Sequence, residues 1–313
     1  MRIPLITNPQ YQSLGRRKGG GGGKSGSSGG KGGSGSGSSG EGGTPGSSSG
    51  GTSGKTSSVP VGGSSASGKS TATAYGSGGG KSLIIPSGQL FAGRSAGGAS
   101  RDQVYGTRMY GSGYPGYNSP GVAGRGFPFW FWPVIWGGSA GAGGQYLHDN
   151  EYGDSFNTSR VGGAMAEATF SSNSTGTTFH LLSDNTTVAS LISSVNTNCS
   201  SHLASSSSMS PSPFNASDPG DPQPQQAVQY YRSSSVVLTL DGYNNSATFS
   251  STPNTTADSP LPSGIDTTLL DCLNYTIGQA APLIDGASLR YTSPPCIGLV
   301  SFIWILWLLA HYA

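Results

Sequence analysis

The sequence has few charged and few apolar residues for its length. Charged residues make up 10% and hydrophobic residues 33% of the 313 residues, and both shares lie below those of ordinary globular proteins. The length would allow two domains, but so few apolar side chains indicate one modest core. Between Gly15 and Gly98 the chain is almost entirely Gly, Ser, Thr and Ala with scattered Lys. Such a composition cannot offset the entropy of ordering, so residues 1–82 are predicted to form a disordered basic arm.

The usual motifs of catalytic and metal sites are also missing. No H-E-x-x-H or G-x-S-x-G occurs, and no histidine stands at metal-ligand spacing with Cys or Glu; the four are His148, His180, His202 and His311. The acidic residues Asp149, Glu151 and Asp154 lack the spacing and the central Gly of a calcium loop and indicate a solvated turn. We therefore predict no catalytic residue, no metal and no cofactor, and hence a protein that is not an enzyme.

One stretch imitates a nucleotide-binding loop. Residues 63–70 read Gly-Ser-Ser-Ala-Ser-Gly-Lys-Ser and match G-x-x-x-x-G-K-[ST]. That loop needs a buried strand before it and a helix after it, whereas residues 59–61 make a poor strand and residues 71–80 cannot form a helix. A second match, G-x-G-x-x-G at residues 111–116, is followed by Pro120, which opposes the required helix. Both matches are predicted to be fortuitous.

The C-terminal stretch is the one strongly apolar run. Residues 297–313 carry no Asp, Glu, Lys or Arg and follow a polar spacer, residues 289–296, that is preceded by the small residues Gly286, Ala287 and Ser288. This order favours a glycosylphosphatidylinositol (GPI) signal over a retained C-terminal membrane helix or a buried globular helix. The N-terminal residues 1–9, in contrast, include Arg2 but lack the apolar stretch of a secretory signal.

Cysteine and glycan-acceptor patterns favour an oxidising compartment. Three cysteines occur, and removal of a GPI signal with Cys296 would leave the pair Cys199 and Cys272, which is predicted to form a disulfide or, alternatively, two separate thiols. The motif N-x-[ST] marks eight candidate glycosylation sites, none of them before residue 157. They are Asn157, Asn173, Asn185, Asn198, Asn215, Asn244, Asn254 and Asn274.

A small α+β domain is predicted over residues 161–285. Strands at residues 164–171 and 177–182 form a hairpin, and Asp184 or Asn185 caps a helix with apolar residues at 188, 191, 192 and 195. After a Ser/Pro-rich loop, residues 228–240 contain a buried strand, and Asp266 begins a second helix that ends before Pro282. The order β-β-α-β-α predicts an antiparallel sheet with helices on one face, followed by a C-terminal hydrophobic helix in residues 286–313.

Residues 83–160 are predicted to be an extended segment rich in Gly, Tyr, Trp and Pro. Residues 127–136 form an aromatic run that is too short to span a bilayer and contains Pro128 and Pro133. So large an apolar patch is seldom left bare, so the following domain covers it, or it lies at a membrane or wall surface, or it binds a partner.

Several strings in residues 83–285 are distinctive. They are GRSAGG (93–98), RDQVYG (101–106), YGSGYPG (110–116), FPF to WP (127–133), QYYR (229–232) and LTLDGYNN (238–245). On these strings the chain resembles a group of mushroom-type (basidiomycete) fungal Gly/Ser-rich surface or membrane proteins. The resemblance implies a surface or membrane setting. The strings carry no known chemistry, so it implies no functional residue.

We therefore expect a non-enzymatic membrane- or cell-wall-associated glycoprotein with a structural or adhesive role, held at the cell surface by a GPI anchor. Up to Arg108 there are 12 basic and two acidic residues, so the arm can also contact cell-wall polysaccharide or anionic surfaces. The longest Lys/Arg cluster is residues 16–18, which argues against nucleic acid as a partner. The alternative is a tail-anchored protein whose basic arm binds anionic partners on the cytosolic side.

Overall fold

The computed structural model describes residues 55–62, 69–116, 119–137, 144–250 and 256–286. Its helices within these ranges are α1 (Asn185–Asn198) and α2 (Thr267–Ala280), with several single-turn 3-10 helices. Its strands are β1 (Ser57–Pro60), β2 (Thr71–Ala74), β3 (Leu83–Ile84), β4 (Ser95–Ala96), β5 (Met165–Ser171), β6 (Thr178–Asp184), β7 (Ser212–Pro213), β8 (Ala227–Tyr231) and β9 (Val236–Leu240). The predicted α+β class is therefore confirmed for the described residues.

The central sheet has five antiparallel strands in the order β7-β5-β6-β9-β8. It is larger than the predicted sheet, because residues 228–240 form two strands where one was expected. The turn between β8 and β9 escaped prediction because Arg232, Ser233 and Ser234 all adopt positive φ angles without a glycine or proline to mark them. The short edge strand β7 lies in the Ser/Pro-rich loop and pairs with β5.

The hairpin of β5 and β6 and the helix after it confirm the sequence prediction. Alternate residues of β5 are buried, as expected for a strand that packs one face on the core. The Asp184 side chain accepts a hydrogen bond from the Thr187 N–H and caps α1, and the predicted apolar residues of that helix are buried. Asp266 caps α2 in the same way, through the Leu269 N–H. Helix α1 packs on β5 and β6, and α2 packs on α1.

An N-terminal hairpin corrects the prediction of a disordered arm up to residue 82. Residues 55–62 and 69–82 are ordered: β1 and β2 pair, and the Thr73 backbone exchanges two hydrogen bonds with Leu283. Small and β-branched side chains at alternate positions are buried on this hairpin, namely Val59, Val61, Ala72 and Ala74. The prediction that residues 59–61 make a poor strand was wrong for residues 59 and 60, which belong to β1 and pair with β2 residues more than ten positions away.

The aromatic run of residues 127–136 lies in the core. Trp130, Phe131 and Trp132 are at most 5% exposed, and the Trp136 indole N–H donates to the Tyr230 hydroxyl on β8. Of the three alternatives for this run, coverage by the domain is therefore the one observed. One continuous core joins side chains from Val61 to Ile284 and crosses the boundary predicted at residue 161.

Several predictions fall outside the described residues. These are the arm from residue 1 to 54, the sequon at Asn254, and the apolar tail beyond Gly286 with Ala287, Ser288 and Cys296. Within the described ranges, no helix is both long and apolar enough to cross a membrane.

Candidate functional site

A cleft of about 520 Å³ lies between the β1–β2 hairpin and α1. The hairpin contributes backbone and side chains from Lys55 to Pro60, and Tyr75 closes one wall. Helix α1 forms the opposite wall with Asn185, Thr186, Ala189, Ser190, Ser193, Ser194, Thr197 and Asn198. The volume is typical of sites for small organic molecules.

The wall formed by α1 is polar but uncharged. The apolar residues of this helix face the core, so its outer positions are left to hydroxyl, amide and small side chains. Neither Asp, Glu, Lys nor Arg occurs between Asn185 and Asn198. Two hydroxyls bond back to the helix, Ser194 to the Ser190 carbonyl and Thr197 to the Ser193 carbonyl. Such a surface can exchange hydrogen bonds with neutral polar groups without a preference for either charge.

Tyr75 lines the cleft and has a strained backbone conformation. Its φ angle is +59°, which a bulky residue rarely adopts and which costs on the order of 1–3 kcal/mol. Its hydroxyl accepts a hydrogen bond of 2.9 Å from Asn198 Nδ2. The ring is half-buried, so one part of it remains available to a ligand.

Two predicted glycan acceptors stand at opposite ends of the cleft. Asn185 begins α1 and Asn198 ends it, so the helix rise separates them by about 20 Å. Both side chains are exposed, as are those of Asn173 and Asn244. Asn157, Asn215 and Asn274 are half-buried, and Asn274 Oδ1 accepts a hydrogen bond from the Tyr231 hydroxyl. The predicted acceptors thus differ in the space that is available for a sugar attached to the amide nitrogen.

The predicted disulfide adjoins the cleft. Cys199, which directly follows Asn198, is bonded to Cys272 on α2, with the two Cα atoms 5.9 Å apart. Cys199 is fully buried, and the bond links the C-terminal end of α1 to the middle of α2. This link fixes the end of α1 that carries Asn198.

A polar cluster on the sheet gave no recognisable motif in the sequence. His180 Nε2 lies 3.1 Å from Asp241 Oδ1, and its Nδ1 lies 3.3 Å from the Thr169 hydroxyl. Burial raises the pKa of Glu167, whose Oε2 lies 4.0 Å from the same Nδ1. These residues come from strands β5 and β6 and from the turn after β9. The cluster could therefore have been predicted only from the register in which these strands pair.

The acidic turn predicted at residues 149–154 is held by protein partners. The Asp149 carboxylate accepts from the Glu151 N–H, and Asp154 accepts from the Phe156 N–H. Glu151 pairs with Arg94 and accepts from the Gly124 N–H. Across the described ranges, no group of three His, Cys, Asp or Glu side chains is arranged to hold a metal ion.

In the described residues, neither of the two nucleotide-like motifs is followed by the helix that a phosphate-binding loop requires. Lys69 and Ser70 lead directly into strand β2, where a phosphate-binding loop needs a helix. Residues 111–116 form turns in which Gly111, Gly113 and Gly116 adopt positive φ angles. Residues 63–68 lie outside the described ranges.

A second cavity, of about 410 Å³, is bordered by Trp136, His148 and Asp154 and includes the acceptor Asn215. His148 Nδ1 is buried there without a hydrogen-bond partner among the described residues. Of these two cavities, the first combines an aromatic side chain, a hydroxyl-rich helix and two acceptor asparagines.

Comparisons with models of protein families, with curated proteins and with solved structures give no match for this chain. The resemblance to fungal surface proteins therefore stays a prediction.

Proposed function

We propose that this chain is a non-enzymatic glycoprotein of the cell surface or cell wall with a structural or adhesive role. The disulfide between Cys199 and Cys272 carries the proposal. Disulfides that connect structural elements persist in oxidising compartments and are rare in reducing ones. The domain of such a protein would face the outside of the cell.

The distribution of acceptor asparagines supports the same setting. Asn173, Asn185, Asn198 and Asn244 are exposed, so attached sugars would extend into solvent or along the surface without disturbing the core. The candidate anchor residue Gly286 ends the described chain, and its N–H donates to the Gly78 carbonyl. A lipid attached at residues 286–288 would therefore hold the domain close to the membrane with almost no linker.

The proposal is tested on the full chain expressed in a eukaryotic secretory host. We expect a mobility shift on treatment with peptide N-glycosidase, and protection of Cys199 and Cys272 from alkylation until a reductant is added. A phosphatidylinositol-specific phospholipase should release the protein from membranes if the GPI signal is used. Free thiols together with unmodified asparagines would contradict the proposal.

The alternative is a tail-anchored protein that faces the cytosol and binds anionic partners through its basic arm. The charge distribution favours it, since 12 of 16 basic residues occur up to Arg108. Protease treatment of intact cells distinguishes the two functions. Digestion of the domain from outside supports the surface glycoprotein, and protection until the membrane is opened supports the alternative.

A further inference from the structure

We propose that the cleft between the β1–β2 hairpin and α1 holds the first sugars of an N-linked glycan attached to Asn198. This inference rests on the proposed function, because it requires passage through a compartment where asparagine is glycosylated. It assigns a position and a role to one glycan among the predicted acceptors. The occupant is part of the mature chain itself.

The geometry at Asn198 allows attachment without loss of its existing hydrogen bond. The amide nitrogen carries two hydrogens, and one of them is donated to the Tyr75 hydroxyl at 2.9 Å. Glycosylation forms a bond between Nδ2 and C1 of a sugar and breaks the bond from C1 to the phosphate of a glycosyl diphosphate donor. The displaced amide proton and the lipid-linked diphosphate leave. The remaining N–H can still bond to Tyr75, and this bond orients the new linkage.

The cleft provides contacts that suit a sugar. A pyranose ring has polar hydroxyls at its edge and apolar C–H groups on its faces. The hydroxyls of Ser190, Ser193 and Thr197 stand on one wall, and the Tyr75 ring and Pro60 stand on the other. Among the described residues of the lining, Lys55 is the only charged one. Lys55 is exposed and can stay in contact with water, so a neutral sugar can cover the rest of this surface without burying an unpaired charge.

Asn198 is better placed than the other acceptor in the cleft. Its side chain is bonded to Tyr75, and the neighbouring disulfide fixes the backbone from which it extends. Asn185 lies at the opposite end of the helix, about 20 Å away. Asn173 supplies a matched control, because its Nδ2 also makes one hydrogen bond, to the Ser201 carbonyl, but it does not line the cleft.

The experiment measures the release of individual glycans from the native protein. The full chain is expressed in a secretory host, treated with an endoglycosidase for increasing times, and analysed by site-resolved mass spectrometry. We expect release at Asn198 to be about tenfold slower than at Asn173 under native conditions, and the two rates to become equal after denaturation and reduction. Equal native rates would overturn the inference.

Two variants test the role of the cleft. Tyr75→Ala removes the aromatic wall and the hydrogen bond, and Ala189→Trp fills the cleft while leaving Tyr75 in place. Each should raise the release rate at Asn198 toward that at Asn173 and leave the rate at Asn173 unchanged. Circular dichroism checks that both variants are folded, and unchanged protection at Asn198 in the two folded variants would overturn the inference.

The outcomes separate this inference from the proposed function. A sugar at Asn173 together with an unmodified Asn198 contradicts the inference alone. A chain that carries no sugar at either asparagine and has free thiols contradicts the proposed function, and the inference with it.

Discussion

Two parts of the domain satisfy their backbone hydrogen bonds in different ways. The sheet-and-helix segment, which we define as the described residues between 165 and 286, uses strand ladders and helices. The aromatic segment, the described residues between 83 and 160, contains two-residue strands and single-turn 3-10 helices. Both segments nevertheless contribute to one buried core, in which polar backbone groups need partners.

In the aromatic segment, arginine side chains donate hydrogen bonds to backbone carbonyls that the N–H groups of a neighbouring strand would pair in a regular sheet. Arg101 instead connects this segment to its surroundings, because it donates to the carbonyls of Gly76, Gly278 and Ala281. Arg125 donates to the Gly111 and Ser119 carbonyls, and Arg160 donates to those of Trp132 and Pro133. A guanidinium group has five donors in a fixed plane, so one side chain can satisfy several carbonyls of an irregular chain. A core can thus include a glycine-rich segment with little secondary structure.

The largest expected effect is alkaline unfolding, because buried tyrosines occur in both segments. Burial raises the pKa of six buried tyrosines in the described ranges: Tyr110, Tyr114, Tyr152, Tyr230, Tyr231 and Tyr243. Their ordinary pKa in the unfolded chain is about 10, so their contribution is complete below that pH and is lost as the pH rises. We expect phenolate absorbance and loss of circular dichroism to appear together above about pH 10.

A control residue and an opposing effect define that experiment. Tyr275 is 56% exposed, so Tyr275→Phe should leave the unfolding transition unchanged. Burial lowers the pKa of Arg101, Arg160 and Arg232, which acts in the opposite direction because the unfolded chain then binds more protons. The six buried tyrosines outnumber these three arginines. Ionisation of the buried tyrosines in a protein that stays folded would contradict the prediction.

The next largest effect is expected for Arg232, which connects the two segments. Its guanidinium forms a buried ion pair of 2.8 Å with Asp184 and lies 3.5 Å above the Phe131 ring of the aromatic segment. Arg232→Ala leaves the Asp184 carboxylate unpaired in the core and should lower the free energy of unfolding by about 3–5 kcal/mol. Urea denaturation measures the change. Arg108→Ala, at a half-buried arginine that bonds to Tyr243 and Ser259, should cost less, and equal losses would contradict the prediction.

The disulfide should matter almost as much. It links residues 73 positions apart within the sheet-and-helix segment. The double variant Cys199→Ser, Cys272→Ser should lose about 4 kcal/mol, because a closed loop of this length restricts the unfolded chain. Because both segments share one core, loss of near-ultraviolet and far-ultraviolet dichroism should remain a single transition. A loss below about 1 kcal/mol would show that the unfolded chain is already restricted by other means.

A smaller effect separates backbone strain from packing in the aromatic segment. Gly111 and Gly88 share a φ of +85°, but a Cβ at Gly111 would lie 2.0 Å from the Gly121 carbonyl oxygen, whereas Gly88 faces open space. Gly88→Ala should cost about 1–2 kcal/mol through strain. Gly111→Ala should cost about 1–3 kcal/mol more through the clash. Thermal unfolding measures both, and similar shifts in Tm would mean that the aromatic segment is loosely packed.

The smallest effect is expected for Lys69. This residue precedes β2 in the position that a nucleotide-binding lysine would occupy in the motif, but a strand follows it. Lys69→Ala should change the free energy of unfolding by no more than about 0.5 kcal/mol. Isothermal calorimetry should detect no ATP binding by the unmodified chain. Saturable binding that the substitution abolishes would overturn this assignment.

The sequence predicted the elements whose signals are local. Helix α1 was predicted from the helical spacing of its four apolar residues, and the starts of both helices from the caps Asp184 and Asp266. Strand β5 was predicted from its alternation of apolar and polar residues. The β8–β9 turn escaped prediction because its left-handed residues are Arg and Ser. The β1–β2 hairpin was missed because its two strands pair across more than ten positions and because Thr73 on β2 bonds to Leu283, far along the chain.

The candidate site was predictable only in part. The asparagines that border the cleft follow from the N-x-[ST] motif, and the disulfide beside them was predicted because removal of Cys296 would leave one pair of cysteines. Tyr75 gave no signal, since the stretch around it is dominated by Gly, Ser and Thr. The cleft itself joins residues more than 100 positions apart, and no local pattern encodes such a distance.

The pairing of the β1–β2 hairpin with the residues that follow α2 has a consequence for the order of folding. Thr73 bonds to Leu283 and Gly78 bonds to the Asp285 carboxylate, so residues about 200 positions apart must meet. Contacts of such long sequence separation form slowly, because a large loop must close before they contribute. During synthesis the β1–β2 hairpin therefore cannot form these hydrogen bonds until residues 283–285 have been made. The native state is complete only when both ends of the domain have been brought together.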